Sequence, residues 1–404
     1  MTRAIQRITC FFAGAFLCLG AMAQTARADT PQSAVALEGL YKLDLLSLAN
    51  GGLQRGGMAM GHLDLKLTVD LEKTVGWDGT TVFFNLLHDH GDKFNRDRVG
   101  SLTGVSNIEV AVDTERLFQA WIKKEWSDGK YSVLAGLYPI DSEFQVLDTA
   151  GIFIHPSHGA TGDLSLTRGP SIFNTSAFGV RGKWVSDDHR SYLQAAMLDG
   201  IAGDPNQPKG THMVWGPNDG TMGIVEMGSH PNAAPGQAAN AKFAVGIWGY
   251  SAWVDDLRDI DARGMPVQRR SAGAYALAEG RLWQGNAGRN LSGFVRYGET
   301  DGDSTPIRAI VNTGLVLKAP FGGSPDDALG LGYSRAMVSD KYRAVQQATG
   351  RLTTATESVW ELSYRIKPTK DLAVQPIVQW IENPGADASV RDATVAGVRL
   401  EVSF

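Results

Sequence analysis

Residues 61–73 read GHLDLKLTVDLEK and alternate strictly between apolar and polar side chains. Leucine or valine occupies every odd position from 63 to 71, whereas the even positions hold His, Asp, Lys, Thr, Asp and Glu. Side chains two residues apart share one face of a β-strand, whereas a helix would scatter both sets around its axis. The segment therefore predicts a strand with one apolar face and one ionic face.

The same alternation recurs less cleanly along the chain, for example around Trp121 and in the last residues up to Phe404. Strands of membrane barrels carry this weak signature of about ten alternating residues between turns. We predict sixteen strands, at residues 35–46, 61–74, 80–88, 114–126, 130–141, 175–185, 190–200, 221–230, 241–253, 272–283, 290–299, 307–317, 328–337, 357–366, 371–382 and 393–404.

The predicted connections fall into two alternating sets. One set is mostly short, at 75–79, 127–129, 186–189, 231–240, 284–289, 318–327 and 367–370. The other is mostly longer, at 47–60, 89–113, 142–174, 201–220, 254–271, 300–306, 338–356 and 383–392. Short periplasmic turns alternating with longer outer loops are typical of an outer-membrane barrel, which also needs an even number of strands. The eighth strand has the weakest pattern, and the requirement for an even number of strands supports it.

The first 28 residues have the features of a secretory signal, with two arginines, an apolar run and small residues suited to cleavage after Ala23 or Ala28. Both cysteines, Cys10 and Cys18, lie in this segment. We therefore expect export through the general secretory route, and a mature chain without cysteine.

The remaining residues, 29–404, have 35 Lys and Arg against 43 Asp and Glu, because residues 1–28 contain three arginines and no acidic residue. This balance argues against a nucleic-acid partner. No uncharged run reaches the ~18 residues of a membrane helix, but a closed barrel of strands can still cross a membrane. The prediction is all-β: residues 29–404 form a single 16-stranded antiparallel transmembrane β-barrel in the Gram-negative outer membrane. A soluble sandwich or propeller is the alternative, since alternation alone does not show which face is inside.

Short motifs support a more specific expectation. They are, in order, Leu63-Asp64-Leu65, Val69-Asp70-Leu71-Glu72-Lys73, Gly76-Trp77, Leu86-Leu87, His90-Gly91, Val105-Ser106-Asn107-Ile108-Glu109, Arg116-Leu117-Phe118, Ala135-Gly136-Leu137-Tyr138, Ser142-Glu143-Phe144, Gln375-Pro376, Asn383-Pro384-Gly385 and the terminal Phe404. In this order and spacing they resemble the OprB family of carbohydrate-selective porins. The resemblance implies a barrel that admits glucose and related sugars by passive diffusion, with no catalytic residue and no cofactor.

The same resemblance indicates the partners. Phe404 after alternating apolar residues looks like the signal that the barrel-assembly machinery recognises in outer-membrane proteins. The expected partners are outer-membrane lipid, small sugars as transported solutes and that machinery. The chain can be a monomer or a homo-oligomer, because a lipid-facing wall and a subunit interface look alike in sequence.

A sugar pore needs groups that replace the hydration of sugar hydroxyls. Carboxylates and arginines do so through charge-assisted hydrogen bonds, and aromatic rings contact the apolar face of a pyranose. The pore-lining and substrate-contact candidates are Asp64, Lys66, Arg96, Arg98, Asn107, Glu109, Trp121 and Glu143.

Several alternatives stay open. A general or ion-selective porin shares the fold and differs only at the constriction. A barrel enzyme has little support because the chain lacks a G-x-S-x-G motif, and a binding barrel without a conducting lumen is a further alternative. His88 and His90 share a strand face but have no evident third ligand, so no metal site is predicted. Arg116 has the parity of Phe118, which we expect to face lipid, unless a bulge turns the arginine inward.

Overall fold

The computed structural model describes residues 33–231, 240–322 and 324–404. The predicted signal segment lies outside these residues. Eighteen strands occur in them: Val35–Asn50 (β1), Gly56–Asp70 (β2), Thr80–Gly91 (β3), Thr114–Trp126 (β4), Tyr131–Tyr138 (β5), Ala177–Val185 (β6), Ser191–Asp199 (β7), Thr221–Ser229 (β8), Ala241–Tyr250 (β9), Val254–Ile260 (β10), Pro266–Arg269 (β11), Ala272–Gln284 (β12), Asn290–Thr300 (β13), Ile307–Lys318 (β14), Ala328–Val338 (β15), Thr356–Arg365 (β16), Leu372–Glu382 (β17) and Ala393–Ser403 (β18).

Sixteen of these strands form one closed antiparallel barrel, which confirms the predicted fold class. Each barrel strand pairs with the barrel strands that precede and follow it in sequence, and β1 pairs with β18 to close the ring. The eighth predicted strand is confirmed as β8. The other two strands, β10 and β11, form a separate hairpin inside the predicted outer loop 254–271.

The two faces of the wall have the polarity expected of a membrane barrel. Lipid-side residues such as Leu86, Ile247 and Leu331 are about half exposed, whereas Glu226 and Glu361 on the opposite face are fully buried. A soluble sandwich would bury its apolar face instead. The outer surface is therefore apolar and the interior is polar, which excludes the soluble alternative.

Several strand boundaries differ from the prediction, most clearly at both ends of β2. β2 ends at Asp70, where the expected strand continued to residue 74, because the Asp70 carboxylate accepts hydrogen bonds from the N–H groups of Glu72 and Lys73. This N-cap starts the short helix Leu71–Val75 (α1), so Glu72 does not belong to the lumen face of β2. The loop predicted at 47–60 is also shorter, since β1 and β2 extend to Asn50 and from Gly56.

A bulge in β4 resolves the parity of Arg116. The register with β3 shifts at this point: Leu86 faces Leu117, whereas Asn85 faces Gln119. Phe118 is the extra residue and is buried, and so is Arg116. The expectation that Phe118 faces lipid is therefore wrong, because the bulge turns both side chains inward.

Two long loops fold into the barrel and fill much of its interior. The first inward loop, residues 92–113, contains a π-helix at Asn95–Val99, and the second, residues 139–176, contains short helices. Those of the second loop are 3₁₀ turns at Ile140–Ser142, Asp148–Ile152 and Pro156–His158 and the α-helix Gly162–Ser165 (α2). Outside these loops lie the helix Asp340–Ala348 (α3) and a 3₁₀ turn at Pro384–Ala386. Within the described ranges, no helix has the length and apolar character to cross a membrane.

The apolar outer wall yields a test of orientation. Val245 lies mid-strand in β9, is half exposed and neighbours Met227 and Ala276. We expect Val245→Arg to lower the free energy of unfolding by about 2–4 kcal/mol, the cost of an arginine facing lipid near the membrane midplane. The measurement is reversible urea unfolding in lipid vesicles, with Val245→Leu as the matched control. Equal stability of the two variants would show that this face does not contact lipid.

Candidate functional site: a lumen narrowed by two anchored loops

Three glutamates of the barrel wall hold the second inward loop. Glu226 of β8 accepts a hydrogen bond from the Gln145 backbone N–H at 2.9 Å. Glu279 of β12 accepts from the N–H groups of Asp148 and Thr149 at 3.0 and 2.7 Å. These N–H groups lie at the start of the 3₁₀ turn Asp148–Ile152, where a short helix leaves its amides unpaired.

Glu361 of β16 is the third anchor and the most enclosed. Its carboxylate accepts from the backbone N–H groups of Ile154 at 2.9 Å and His155 at 2.8 Å. Ser363 and Gln379 on the wall donate to the same carboxylate at 2.7 and 3.0 Å. Glu361 has no solvent exposure, so these four donors replace the water that a buried carboxylate otherwise requires.

Glu357 holds the first inward loop in the same way. It accepts from the N–H groups of Leu102 at 2.7 Å and Thr103 at 2.9 Å, and from Gly385 of a neighbouring outer loop at 2.7 Å. Glu357 lies four residues before Glu361 in β16, so the two side chains share the lumen face. One strand, β16, therefore fixes both inward loops.

Arginines of the wall hold carbonyl and carboxylate groups of the second loop. Arg181 of β6 forms a bidentate pair with Glu143, with N–O distances of 2.7 and 2.8 Å. Arg296 of β13 donates to the carbonyl oxygens of Gln145 at 3.0 Å and Ser157 at 2.6 Å. Both arginines are almost completely buried, so the loop is fixed through its acceptors as well as its donors.

Asn107 lies in a comparable network beside the first loop. Arg399 of β18 forms a bidentate pair with Asp44 of β1 at 2.7 and 2.8 Å, across the seam that closes the barrel. The same guanidinium donates to the side-chain oxygen of Asn107 at 2.8 Å, and Ser106 donates to Asp44 at 2.6 Å. The predicted residue Asn107 is thus fixed against the wall.

Several other lumen-face charges keep part of their surface in solvent and form pairs of opposite sign. Lys66 contacts Asp64 at 3.0 Å, with side chains 21% and 13% exposed. Arg365 of β16 contacts Glu401 of β18 at 2.6 Å, across the intervening strand β17. Lys123 and Glu125 form a third pair at 3.2 Å. The predicted residues Asp64 and Lys66 thus lie on the lumen face as partners.

The remaining predicted residues lie in different environments. Trp121 is buried and stacks on Phe83 with ring centroids 4.9 Å apart. It therefore belongs to a cluster of buried apolar side chains inside the barrel. Both carboxylate oxygens of Glu109 accept from the Asn95 N–H at 2.9 Å, at the start of the π-helix. Arg96 is exposed and pairs with the adjacent Asp97.

Arg98, the last predicted contact, donates from its guanidinium to the Arg55 carbonyl oxygen at 3.5 Å. Sequence reasoning missed the anchoring glutamates and the two buried arginines. A signal for them existed: Glu226 is the single charge of β8, and Glu357 and Glu361 share the lumen parity of β16. Which loop atoms they bind has no sequence signal, because the partners are more than 80 residues away.

Comparison with known proteins identifies this arrangement. Residues 54–404 match the family model described as carbohydrate-selective porin, OprB family. The chain belongs to this family. Porin B of Pseudomonas aeruginosa is 25% identical over 99% of this chain and 98% of its own length.

Solved structures agree on the fold. The high-pH structure of Pseudomonas putida OprB has a TM-score of 0.82 at 21% identity, covering 92% of this chain and 94% of that one. The outer-membrane channel DcaP of Acinetobacter baumannii has a TM-score of 0.57 at 11% identity, covering 92% and 97%.

The porin is therefore a carbohydrate channel of the outer membrane, as the sequence predicted. Channel function, not enzymatic catalysis, is what this family and fold support. No group of three or more His, Cys, Asp and Glu side chains is arranged for metal binding in the ranges that the structure describes. His88 instead contacts Glu115 at 3.0 Å, and His90 lies 3.2 Å from the Tyr41 hydroxyl.

Glu361→Gln tests the anchoring of the second loop. The amide keeps one acceptor oxygen but directs an N–H₂ group toward backbone donors, so hydrogen bonds to a charged acceptor, each worth about 1.5–3 kcal/mol, are lost. We expect amide hydrogen exchange in residues 152–158 to accelerate roughly tenfold or more, since about 1.4 kcal/mol corresponds to a factor of ten. Glu401→Gln is the control, because Glu401 pairs with Arg365 on the wall. Unchanged exchange in Glu361→Gln would contradict the anchoring role.

His155 makes loop docking sensitive to acid. Burial lowers the pKa of His155 to about 4, and burial also lowers the pKa of the adjacent His158. In an undocked loop His155 takes its ordinary pKa of about 6.5, so the undocked state binds a proton first. Docking is therefore fully stable above about pH 6.5 and weakens as the pH falls toward 4, by up to about 1.4 kcal/mol per pH unit.

We expect exchange in residues 152–158 to accelerate over this pH range, and His155→Gln to reduce the acceleration. The carboxylate of Glu361, which accepts the His155 N–H, and the imidazole of His158 remain in that variant and account for the residual change. His189→Asn in an exposed turn is the control. The same pH profile in His155→Gln as in the parent would refute this assignment.

Proposed function

We propose that the porin passes glucose and related monosaccharides by passive diffusion through the space that the two inward loops leave open. The observation that carries this proposal is the pairing of the partly exposed lumen charges, such as Asp64 with Lys66 and Arg365 with Glu401. Each pair presents donors and acceptors to sugar hydroxyls while its net charge is zero.

Paired charges suit an uncharged, hydroxyl-rich solute. Charge-assisted hydrogen bonds to hydroxyls remain available at the exposed edge of each pair. An ion experiences nearly cancelling fields from the two members, so such a lining attracts neither cations nor anions strongly. Contacts of this kind are individually weak, and a solute that enters can also leave.

Export and assembly complete the proposal. The chain enters through the general secretory route by its predicted signal and is inserted by the barrel-assembly machinery through its C-terminus. Phe404 pairs with Gly39 of β1 through two backbone hydrogen bonds of 2.8 and 2.9 Å, while its side chain is 67% exposed. A terminal aromatic at the closing seam can be recognised before β1 and β18 join.

Solute flux into vesicles tests the proposal. We expect glucose to enter the parent faster than a disaccharide and faster than an amino acid or a salt of similar size. Lys66→Gln leaves Asp64 without its partner, so glucose influx should fall several-fold and the preference for cations should rise. The measurements are vesicle swelling for solutes and reversal potential for ions.

Lys124→Gln is the matched control, because Lys124 lies on the same side of its strand as the lipid-facing Ile122 and away from the lumen. Flux of the parent that follows solute size alone would favour a general porin. Equal ion selectivity in Lys66→Gln and Lys124→Gln would show that the paired charges do not determine ion selectivity.

A further inference from the structure

A cavity of about 220 Å³ lies at the outer mouth of the barrel, away from the anchoring glutamates. Three outer connections meet there: the end of the first inward loop, the end of the second and the loop 200–220. At about 30 Å³ per water molecule, this space holds roughly seven waters, which is comparable to the room that one pyranose requires. The cavity is therefore of monosaccharide size.

Arg116 is the cationic arginine of this cavity. Its side chain is more than nine-tenths buried, and it donates to the Pro208 carbonyl oxygen at 2.5 Å and to the Thr175 hydroxyl. Its Nε has no hydrogen-bond partner among the residues that the structure describes. Each terminal nitrogen of the guanidinium keeps a second N–H beside those given to Thr175 and Pro208, and a ligand oxygen in the adjoining cavity can accept from it.

The rest of the lining combines polar and apolar groups. Asn174 and Gln207 contribute amides, and the Asn174 amide is held by a hydrogen bond to Asp89 at 2.9 Å. Asp204 contributes a carboxylate that is oriented by the Asn206 N–H at 2.9 Å. Apolar surface comes from Ala111, Val112, Ala202, Pro205 and Pro208. The lining thus combines polar side chains, which match the hydroxyls of a pyranose, with apolar surface, which matches its C–H faces.

We propose that this cavity is a sugar-loading subsite, which binds one monosaccharide at the outer mouth before it enters the constriction. Arg116 donates to ring or hydroxyl oxygens, and the amides and the Asp204 carboxylate fix the remaining hydroxyls. The subsite rests on the proposed function, because it deepens the passage of monosaccharides through the same pore. The subsite raises the local concentration of sugar at the pore entrance when the external sugar concentration is low.

The concentration dependence of glucose influx tests the subsite. Ala111→Trp fills the cavity from its exposed rim, and Arg116→Lys keeps the charge but loses the planar fork. In both variants the half-saturating glucose concentration should rise at least threefold, with the maximal rate unchanged within a factor of two. Met213→Trp is the control, since Met213 is an exposed residue of the same outer loop outside the cavity lining.

Saturation-transfer NMR with glucose and detergent-solubilised porin separates this proposal from the proposed function. Glucose signals should appear with the parent and with Met213→Trp, and weaken at least threefold with Ala111→Trp. One outcome is that flux prefers glucose while Ala111→Trp changes neither the half-saturating glucose concentration nor the NMR signal of glucose. That result would overturn the subsite and leave the proposed sugar pore intact. If NMR shows cavity-dependent binding while flux follows size alone, the subsite stands and the selective constriction fails.

Discussion

The structure depends on hydrogen bonds from loop backbone N–H groups to carboxylates of the barrel wall. A closed barrel uses its own backbone donors and acceptors in the strand ladder, so a loop that enters the lumen meets mainly side chains on the wall. Glu226, Glu279, Glu357 and Glu361 provide these partners. Each accepts where a loop turn leaves amides unpaired, and an unpaired buried amide costs about 1–3 kcal/mol. Without these acceptors the loops would be more stable in solvent above the barrel.

Placing carboxylates in the lumen has an electrostatic consequence. Buried or half-buried anions of like sign repel one another unless cations neutralise them. The porin meets this requirement locally, with Arg399 against Asp44 and Arg181 against Glu143. The same local compensation continues to the solvent-exposed pairs of the lining. Each of these exposed pairs has no net charge, which suits a neutral solute.

The fold could be predicted from the sequence because one lipid face and one aqueous face impose period-two alternation on every strand. The weakly patterned β8 could also be predicted, since a barrel needs an even number of strands. The site could be predicted only in part. Asp64 and Lys66 share a face within one strand, and such local relations are visible in sequence. The contact of Glu361 with Ile154 joins residues more than 200 positions apart, and no periodicity encodes it. The bulge at Phe118 was visible only through the unfavourable parity of Arg116, because one extra residue reverses parity without changing composition.

That bulge also shapes the mouth of the pore. β5 is short, and its pairing with β4 extends only to Ala120, which leaves the upper part of β4 without a strand on that side. Thr211 occupies this edge: its hydroxyl accepts from the Leu117 N–H at 2.7 Å and donates to the Leu117 carbonyl oxygen at 3.2 Å. The loop 200–220 is thereby held over the inward-turned Arg116, to which it supplies the Pro208 carbonyl. A single inserted residue in the wall and a short neighbouring strand together explain why a charged cavity exists at the outer entrance.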